Sequence, residues 1–160
     1  MSKETRWLDD QEQQLWRTLR EFLWQFPSAM DRQLSRDSAM QSGEYSVLAA
    51  LSEAGGPLRP ATLAGELVWD RSRLSHLLRR MENKGLVLRC TDTEDGRGQL
   101  VSLTDEGWQA IRSAAPAHVT FIRQSIFDHL DDTEREMLER VLHRVLGSVR
   151  DASAATNANC

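Results

Sequence analysis

Apolar residues recur at intervals of three and four along most of the chain, which is the spacing that places side chains on one face of an α-helix. The segment from Asp70 to Gly85 shows this pattern in its most compact form. Asp70 is a favourable N-cap because its carboxylate can accept hydrogen bonds from the free N–H groups of the first turn. Gly85 suits the position after the last turn because glycine adopts the left-handed conformation at little steric cost. The pattern predicts a helix whose buried stripe is Leu74, Leu77, Leu78 and Met81.

The opposite face of this predicted helix is polar and basic. It combines short hydrogen-bond donors with arginines and a histidine, which suit phosphate oxygens and base edges in the major groove of DNA. A solvated surface helix with ordinary arginines is the alternative interpretation. The candidate DNA-binding residues of the helix are Arg71, Ser72, Arg73, Ser75, His76, Arg79 and Arg80.

Two short helices are predicted before it. Ser42 is expected to cap the first, and the Gly-Gly-Pro sequence at 55–57 ends it. Pro60 suits the first position of the second, which is expected to run to Val68. Two helices joined by a tight turn, of which the second is basic on its outer face, are typical of a helix-turn-helix.

Two short strands follow, Leu86–Thr91 and Gln99–Leu103, because both segments are rich in branched apolar residues. The loop between them contains two glycines and predicts a hairpin. A hairpin directly after a DNA-reading helix is the wing of a winged helix. Arg97 at its tip is a candidate for the minor groove, and Asp95 is placed to hold that guanidinium through a charge-assisted hydrogen bond.

The terminal segments predict long helices with apolar faces. Leu8 to Leu34 is one amphipathic helix that Pro27 should kink or split. Thr104 is expected to cap a helix after the hairpin, and a last helix begins at 132 or 133. These faces exceed what a small domain can cover, so a second copy of the chain is the expected partner. Residues 151–160 are small and polar, which predicts a disordered tail.

Composition narrows the class of protein. Of the 160 residues, 40% are hydrophobic and 28% charged, which is sufficient for a folded core. The net charge is −4, yet six cations face one anion between Arg71 and Arg89, a local balance of 6 − 1 = +5. This distribution favours a confined anionic contact. With no signal peptide, no apolar run of membrane-spanning length and only two cysteines, the chain is expected to be cytoplasmic and away from membranes.

Three stretches resemble a known family: DRSRLSHLLRRMENKGLV at 70–87, DGRGQLVSLT at 95–104 and TDEG at 104–107. They are similar to the recognition helix, the wing motif and the start of the fifth helix of the MarR family of bacterial winged-helix transcriptional regulators. The resemblance covers most of the chain, from Trp7 to Val149. Its DNA-facing positions fall on Arg71, Ser72, Arg73, Ser75, His76 and Arg79, with Arg97 as the wing arginine and Asp95 as its partner.

The resemblance implies a mainly α-helical fold with a small β-hairpin wing. The implied organisation is an N-terminal dimerisation helix (7–36), a winged helix-turn-helix domain (42–104), C-terminal dimerisation helices (105–150) and the tail (151–160). It also implies a homodimer that binds double-stranded DNA at a pseudo-palindromic operator, with half-sites about one helical turn apart and repression as the favoured mode.

A small aromatic effector is a further expectation, because many members of the family release DNA when a phenolic or other aromatic compound binds. Trp16 and Trp24 are eight residues apart on the first helix, and His118 lies near the junction with the winged domain. These three are the candidate effector-binding residues. Core and dimer packing is the favoured alternative for the tryptophans, and a partly exposed position is favoured for the histidine.

Metal, cofactor and catalytic sites are not predicted. The four histidines show no HExxH spacing, and we find no nucleophile elbow or phosphate-binding glycine loop. Thiol oxidation regulates some members of the family, but a structural role is favoured for Cys90, since neighbouring strand residues point to opposite faces and separate it from Arg89. A DNA-binding regulator is therefore the leading hypothesis. A winged-helix adaptor that binds only proteins is the alternative, and an enzyme ranks last.

Overall fold

The computed structural model describes residues 5–91 and 98–157, and for 153–157 only the backbone. The predicted wing residues Asp95 and Arg97 lie outside the described residues, as does Cys160. The helices are α1 (Asp10–Ser38), α2 (Ser42–Ala54), α3 (Pro60–Leu67), α4 (Arg71–Asn83), α5 (Asp105–Ser125) and α6 (Asp132–Asn157), and the strands are β1 (Val87–Thr91) and β2 (Gln99–Leu103). A short 3-10 helix spans Phe127–His129.

The chain divides into two compact units. The first ends at His118 and contains α1 to α4, the β-hairpin and the larger part of α5. The second begins at Val119 and contains the end of α5, the 3-10 helix and α6. The mainly helical winged-helix fold predicted from the sequence is confirmed.

The core of the first unit joins the helix-turn-helix to the hairpin. The stripe predicted for α4 is buried, with Leu74, Leu78 and Met81 at most 1% exposed. Because closely packed cores relax only partly, truncating one such leucine to alanine typically costs about 2–5 kcal/mol. The other large, fully buried members of this core are Val47, Leu48, Leu51, Leu63, Val87 and Val101.

The hairpin is antiparallel, with Val87 opposite Leu103 and Thr91 opposite Gln99. Leu58, in the connection between α2 and α3, exchanges two backbone hydrogen bonds with Val101, at 2.9 and 2.8 Å. Val101 is fully buried beneath this bridge. The base of the wing is therefore fixed to the helix-turn-helix by backbone hydrogen bonds as well as by packing.

The end of α4 is hydrogen-bonded to the start of α5, at two positions that the sequence predicts as helix ends. Gly85 has a φ of +73°, so it occupies the left-handed position that ends the helix. The Thr104 hydroxyl donates to the Gly85 carbonyl oxygen at 2.6 Å and accepts from the Gly107 N–H at 2.9 Å. Thr104 thus caps α5 and joins it to the end of α4.

Two capping predictions are wrong. Asp70 occupies the N-cap position of α4 with an extended backbone, but its carboxylate accepts no capping hydrogen bond. Ser42 is the first residue of α2 and not its cap. The N-cap is the preceding residue, Gln41. Its backbone N–H donates to the Glu44 carboxylate at 3.2 Å, as in a capping box.

Two predictions about continuity are corrected; at Pro27 the correction concerns the split and not the kink. Helix α1 passes through Pro27 without a break, so the predicted split does not occur. Proline removes one N–H donor, and the remaining hydrogen bonds of a 29-residue helix keep the two halves continuous. Helix α6 continues to Asn157, so the prediction of a disordered tail is wrong for residues 151–157. Alanine has the highest helix propensity, and the sequence DASAATN extends the preceding helix.

The long helices carry large apolar side chains that the chain itself leaves exposed. On α1 the six such residues from Leu15 to Trp24 are 44–70% exposed, and on α6 the seven from Met137 to Val149 are 36–55% exposed. Singly exposed apolar residues are ordinary, but contiguous stripes mark interaction surfaces.

Among the described helices, none combines the length and hydrophobicity that crossing a membrane requires.

Candidate nucleic-acid interface

Helix α4 has one buried and one exposed face. All seven predicted DNA-binding residues of this helix are exposed, and the core packing of its leucine stripe fixes their direction. Within the described part of the chain none of its four arginines forms an ion pair, so the guanidinium groups are available to an external anion. These four are Arg71, Arg73, Arg79 and Arg80.

Arg73 is held in place by an aromatic side chain from the turn of the helix-turn-helix. Its guanidinium carbon lies 4.3 Å from the centre of the Trp69 ring, a cation–π contact. Trp69 therefore limits the rotamers of Arg73 before any ligand is present.

Lys84 does not belong to the free basic surface. Its ammonium group pairs with the carboxylate of Glu44, whose side chain is 3% exposed. Glu44 also accepts from the Gln41 N–H, so its two oxygens bond to different partners. Because breaking a buried pair leaves an uncompensated charge, this contact fixes the end of α4 against the start of α2.

Arg89 on β1 is also structural. One of its terminal nitrogens donates to the Ser75 carbonyl oxygen at 3.4 Å, and its Nε lies 3.6 Å from a Glu82 oxygen. It lines a cleft with Arg71 and Gln99, where α4 meets the hairpin. Two of the six cations counted from the sequence, Lys84 and Arg89, thus hold the recognition helix in place, and four remain for an external partner.

The three candidate effector residues do not converge. Trp16 and Trp24 are 47% and 66% exposed on α1, and the Arg20 guanidinium lies 5.0 Å from the Trp24 ring. His118 lines a cavity beside Tyr45, and neither tryptophan is among the residues that line it. Its Nδ1 is 3.1 Å from Oε1 of Gln33, and burial lowers the pKa of the His118 imidazole.

Other candidate chemistry is limited. Cys90 is half-buried, with its Sγ 3.9 Å from the Leu100 carbonyl oxygen. The described residues contain no group of histidine, cysteine and carboxylate side chains that could hold a metal ion.

Three residues with clear roles were missed from the sequence. These residues are Trp69, Glu44 and Gln33. Glu44 could have been found because it falls on the apolar side of its helix. A carboxylate buried there requires a partner. Trp69 and Gln33 act through tertiary contacts that leave no local signature.

The arrangement matches proteins of known family. The model of the MarR family matches residues 40–98. The structure is similar to AbsC, a MarR family transcriptional regulator from Streptomyces coelicolor, with 34% identity, a TM-score of 0.87 and coverage of 92% of this chain and 99% of that one. A second MarR family regulator from the same organism, crystallised in complex with DNA, is 37% identical, with a TM-score of 0.85 and coverage of 92% of each chain.

A sequence relative from another organism agrees. The HTH-type transcriptional regulator PecS of Dickeya dadantii is 29% identical over 119 residues, which are 73% of this chain and 70% of that protein. Each of the two Streptomyces structures covers 92% of the chain. The chain therefore belongs to the MarR family of winged-helix transcriptional regulators.

Proposed function

We propose that this regulator binds a pseudo-palindromic operator as a homodimer and represses transcription from it. The outward face of α4 carries the proposal, because four arginines without ion-pair partners among the described residues flank Ser72, Ser75 and His76. Guanidinium groups suit phosphates and guanine edges, and the shorter donors suit bases. The Streptomyces coelicolor relative that was crystallised in complex with DNA supports DNA binding by this chain.

The homodimer is supported by the exposed apolar stripes of α1 and α6. Large apolar side chains repeat at three- and four-residue intervals on both helices and remain exposed in the single chain. Burying such surface is favourable by roughly 25 cal/mol per Å², and two-fold pairing is the commonest way in which identical chains achieve it. A two-fold dimer also explains why a pseudo-palindrome is the expected operator.

Release of DNA by a small aromatic effector is the regulatory part of the proposal. The cavity beside Tyr45 and His118 supports it, because it provides aromatic side chains next to apolar ones in the same unit as the recognition helix. Trp16 and Trp24 remain candidates only for a site that a second copy helps to form. We propose no catalytic reaction for the chain.

Selection of bound duplexes from a random pool tests the proposal, followed by titration of the selected site at two salt concentrations. We expect two inverted half-sites about one helical turn apart. With four arginines from each of two subunits near phosphates, affinity should fall by roughly ten-thousandfold between about 50 and 200 mM salt. An unenriched pool with no salt-dependent binding would contradict the proposal and favour the protein-only adaptor.

The wing supplies a second, independent prediction. Arg97→Ala should weaken operator binding by roughly ten- to a hundredfold, since an arginine in the minor groove loses its contacts, while the dimer remains intact. The measurement is operator affinity by fluorescence anisotropy, with subunit assembly followed by sedimentation. Arg140→Ala, which removes the same charge from an exposed position on α6, is the matched control. Equal affinity of the two variants would exclude the wing from DNA binding.

A further inference from the structure

The cavity that contains His118 has the size of a site for a small organic molecule. Its volume is about 650 Å³, and residues of α1, α2, α3 and α5 within the first unit form its walls. Pockets for small molecules usually have volumes of about 300–1,000 Å³ and mostly apolar walls with a few polar groups. The apolar lining residues are Met30, Ala49, Ala50, Ala54 and Leu67.

Two aromatic rings form one wall of this cavity. The rings of Tyr45 and His118 lie 4.2 Å apart between centroids, at an interplanar angle of 47°. The buried side chain of Gln33 fixes the imidazole, because its amide oxygen lies 3.1 Å from Nδ1 and can only accept a hydrogen bond. Within the described part of the chain the Tyr45 hydroxyl forms no hydrogen bond, so this donor remains available to a ligand.

The charge of the cavity is negative. Two carboxylates line it, Glu53 from α2 and Glu66 from α3, while no lysine or arginine is among its lining residues. Burial and, to a smaller extent, the charge of Glu53 raise the pKa of the Tyr45 phenol. Burial also lowers the pKa of the His118 imidazole, which disfavours its positively charged form. The two carboxylates would therefore repel an anionic ligand.

We propose that this cavity binds an organic cation that carries an aromatic ring, with the ring on the Tyr45–His118 wall and the cationic group toward Glu53 and Glu66. The role of this ligand as the effector rests on the function proposed above, but its binding does not. Aromatic rings pack favourably on one another, and the two carboxylates attract the positive charge of the ligand. The site therefore selects against phenolate and benzoate anions.

The single tyrosine of the chain allows a direct measurement. Full-length protein in which tyrosine is replaced by 3-fluorotyrosine will give one 19F NMR signal, from the cavity itself. This protein, free of DNA, is titrated with benzylamine, benzyl alcohol and benzoate, which carry the same ring with positive, zero and negative charge at neutral pH. We expect benzylammonium to bind about tenfold more tightly than the alcohol, and benzoate to bind most weakly.

Charge variants separate this site from ordinary surface attraction. Glu53→Gln combined with Glu66→Gln should abolish the preference for the cation, and the double substitution to lysine should reverse it in favour of benzoate. Both side chains are exposed, so neither change removes core packing. Glu139→Gln, an exposed carboxylate on α6, is the matched control and should leave the preference unchanged.

The outcomes distinguish this inference from the function of the protein. Equal binding of the three compounds, tighter binding of benzoate, or no shift of the 19F signal with any of them would overturn the cation site. Operator binding, measured separately on the same protein, tests the proposed function. A protein that binds the operator but shows no preference for the cation would overturn only the inference made here.

Discussion

Replacing Gly107 with alanine is expected to destabilise the chain by about 3 kcal/mol, since overpacking a rigid site costs 1–3 kcal/mol and occasionally more. A Cβ atom at this position would lie 2.0 Å from the Leu86 carbonyl oxygen and 3.1 Å from its carbonyl carbon. These neighbours are backbone atoms, and Leu86 cannot move freely because its oxygen also accepts from the Thr104 N–H at 3.2 Å. The first turn of α5 would have to move away from the end of α4.

Urea unfolding followed by far-UV circular dichroism measures this effect. All variants are compared at one protomer concentration, because dimerisation makes apparent stability depend on concentration. Gly65→Ala is the matched control, since nothing lies within 4 Å of a Cβ atom at that exposed position of α3. It should leave stability unchanged or raise it by about 0.5–1 kcal/mol through helix propensity. Equal midpoints for the two variants would show that α5 adjusts to the extra methyl group without cost.

The part of the fold that follows a simple period was predictable. The leucine stripe of α4 repeats at helical spacing, and each of its four members is buried. The two strands were predictable because branched apolar residues flank a glycine-containing sequence, and they pair antiparallel as a hairpin requires. In these segments one hydrophobic pattern determines both the local structure and the face that packs on the core.

Contacts between residues distant in sequence were not predictable. Glu44 and Lys84 are forty residues apart and pair only because the fold brings the start of α2 to the end of α4. Lys84 contributes to the local positive charge counted from the sequence, but the sequence does not show that it pairs with the buried carboxylate of Glu44. The same reason applies to Gly107, where the requirement for glycine comes from a carbonyl group twenty-one residues earlier.

Capping depends on details that a sequence pattern does not resolve. Asp70 has the residue type and backbone conformation of an N-cap, but its carboxylate does not reach the first-turn amides. Side chains such as Asp have competing rotamers of similar energy, so residue type alone does not determine which hydrogen bond forms. The exposed face of α4 was predictable because its orientation depends on the buried stripe and not on its cap.

Leu142→Glu is expected to dissociate the proposed homodimer and to weaken operator binding by a hundredfold or more. Leu142 is 47% exposed in the single chain and lies in the apolar stripe of α6. A carboxylate placed there would lose its water on dimerisation without gaining a partner, which is costly, and two-fold symmetry introduces the charge twice. A monomer has one recognition helix and binds one half-site. It loses the gain in effective concentration that a dimer has when its second subunit binds the second half-site.

Arg144→Glu is the control. It shows whether the effect depends on the position of the new carboxylate or only on added negative charge in α6. It lies about 200° around the helix from Leu142, and it alters the charge of α6 by more than the leucine substitution does. We expect Arg144→Glu to sediment as a dimer and to retain operator affinity, while Leu142→Glu sediments as a monomer at micromolar concentration. A Leu142→Glu protein that remains dimeric would place the subunit contact elsewhere, with the apolar stripe of α1 as the next surface to substitute.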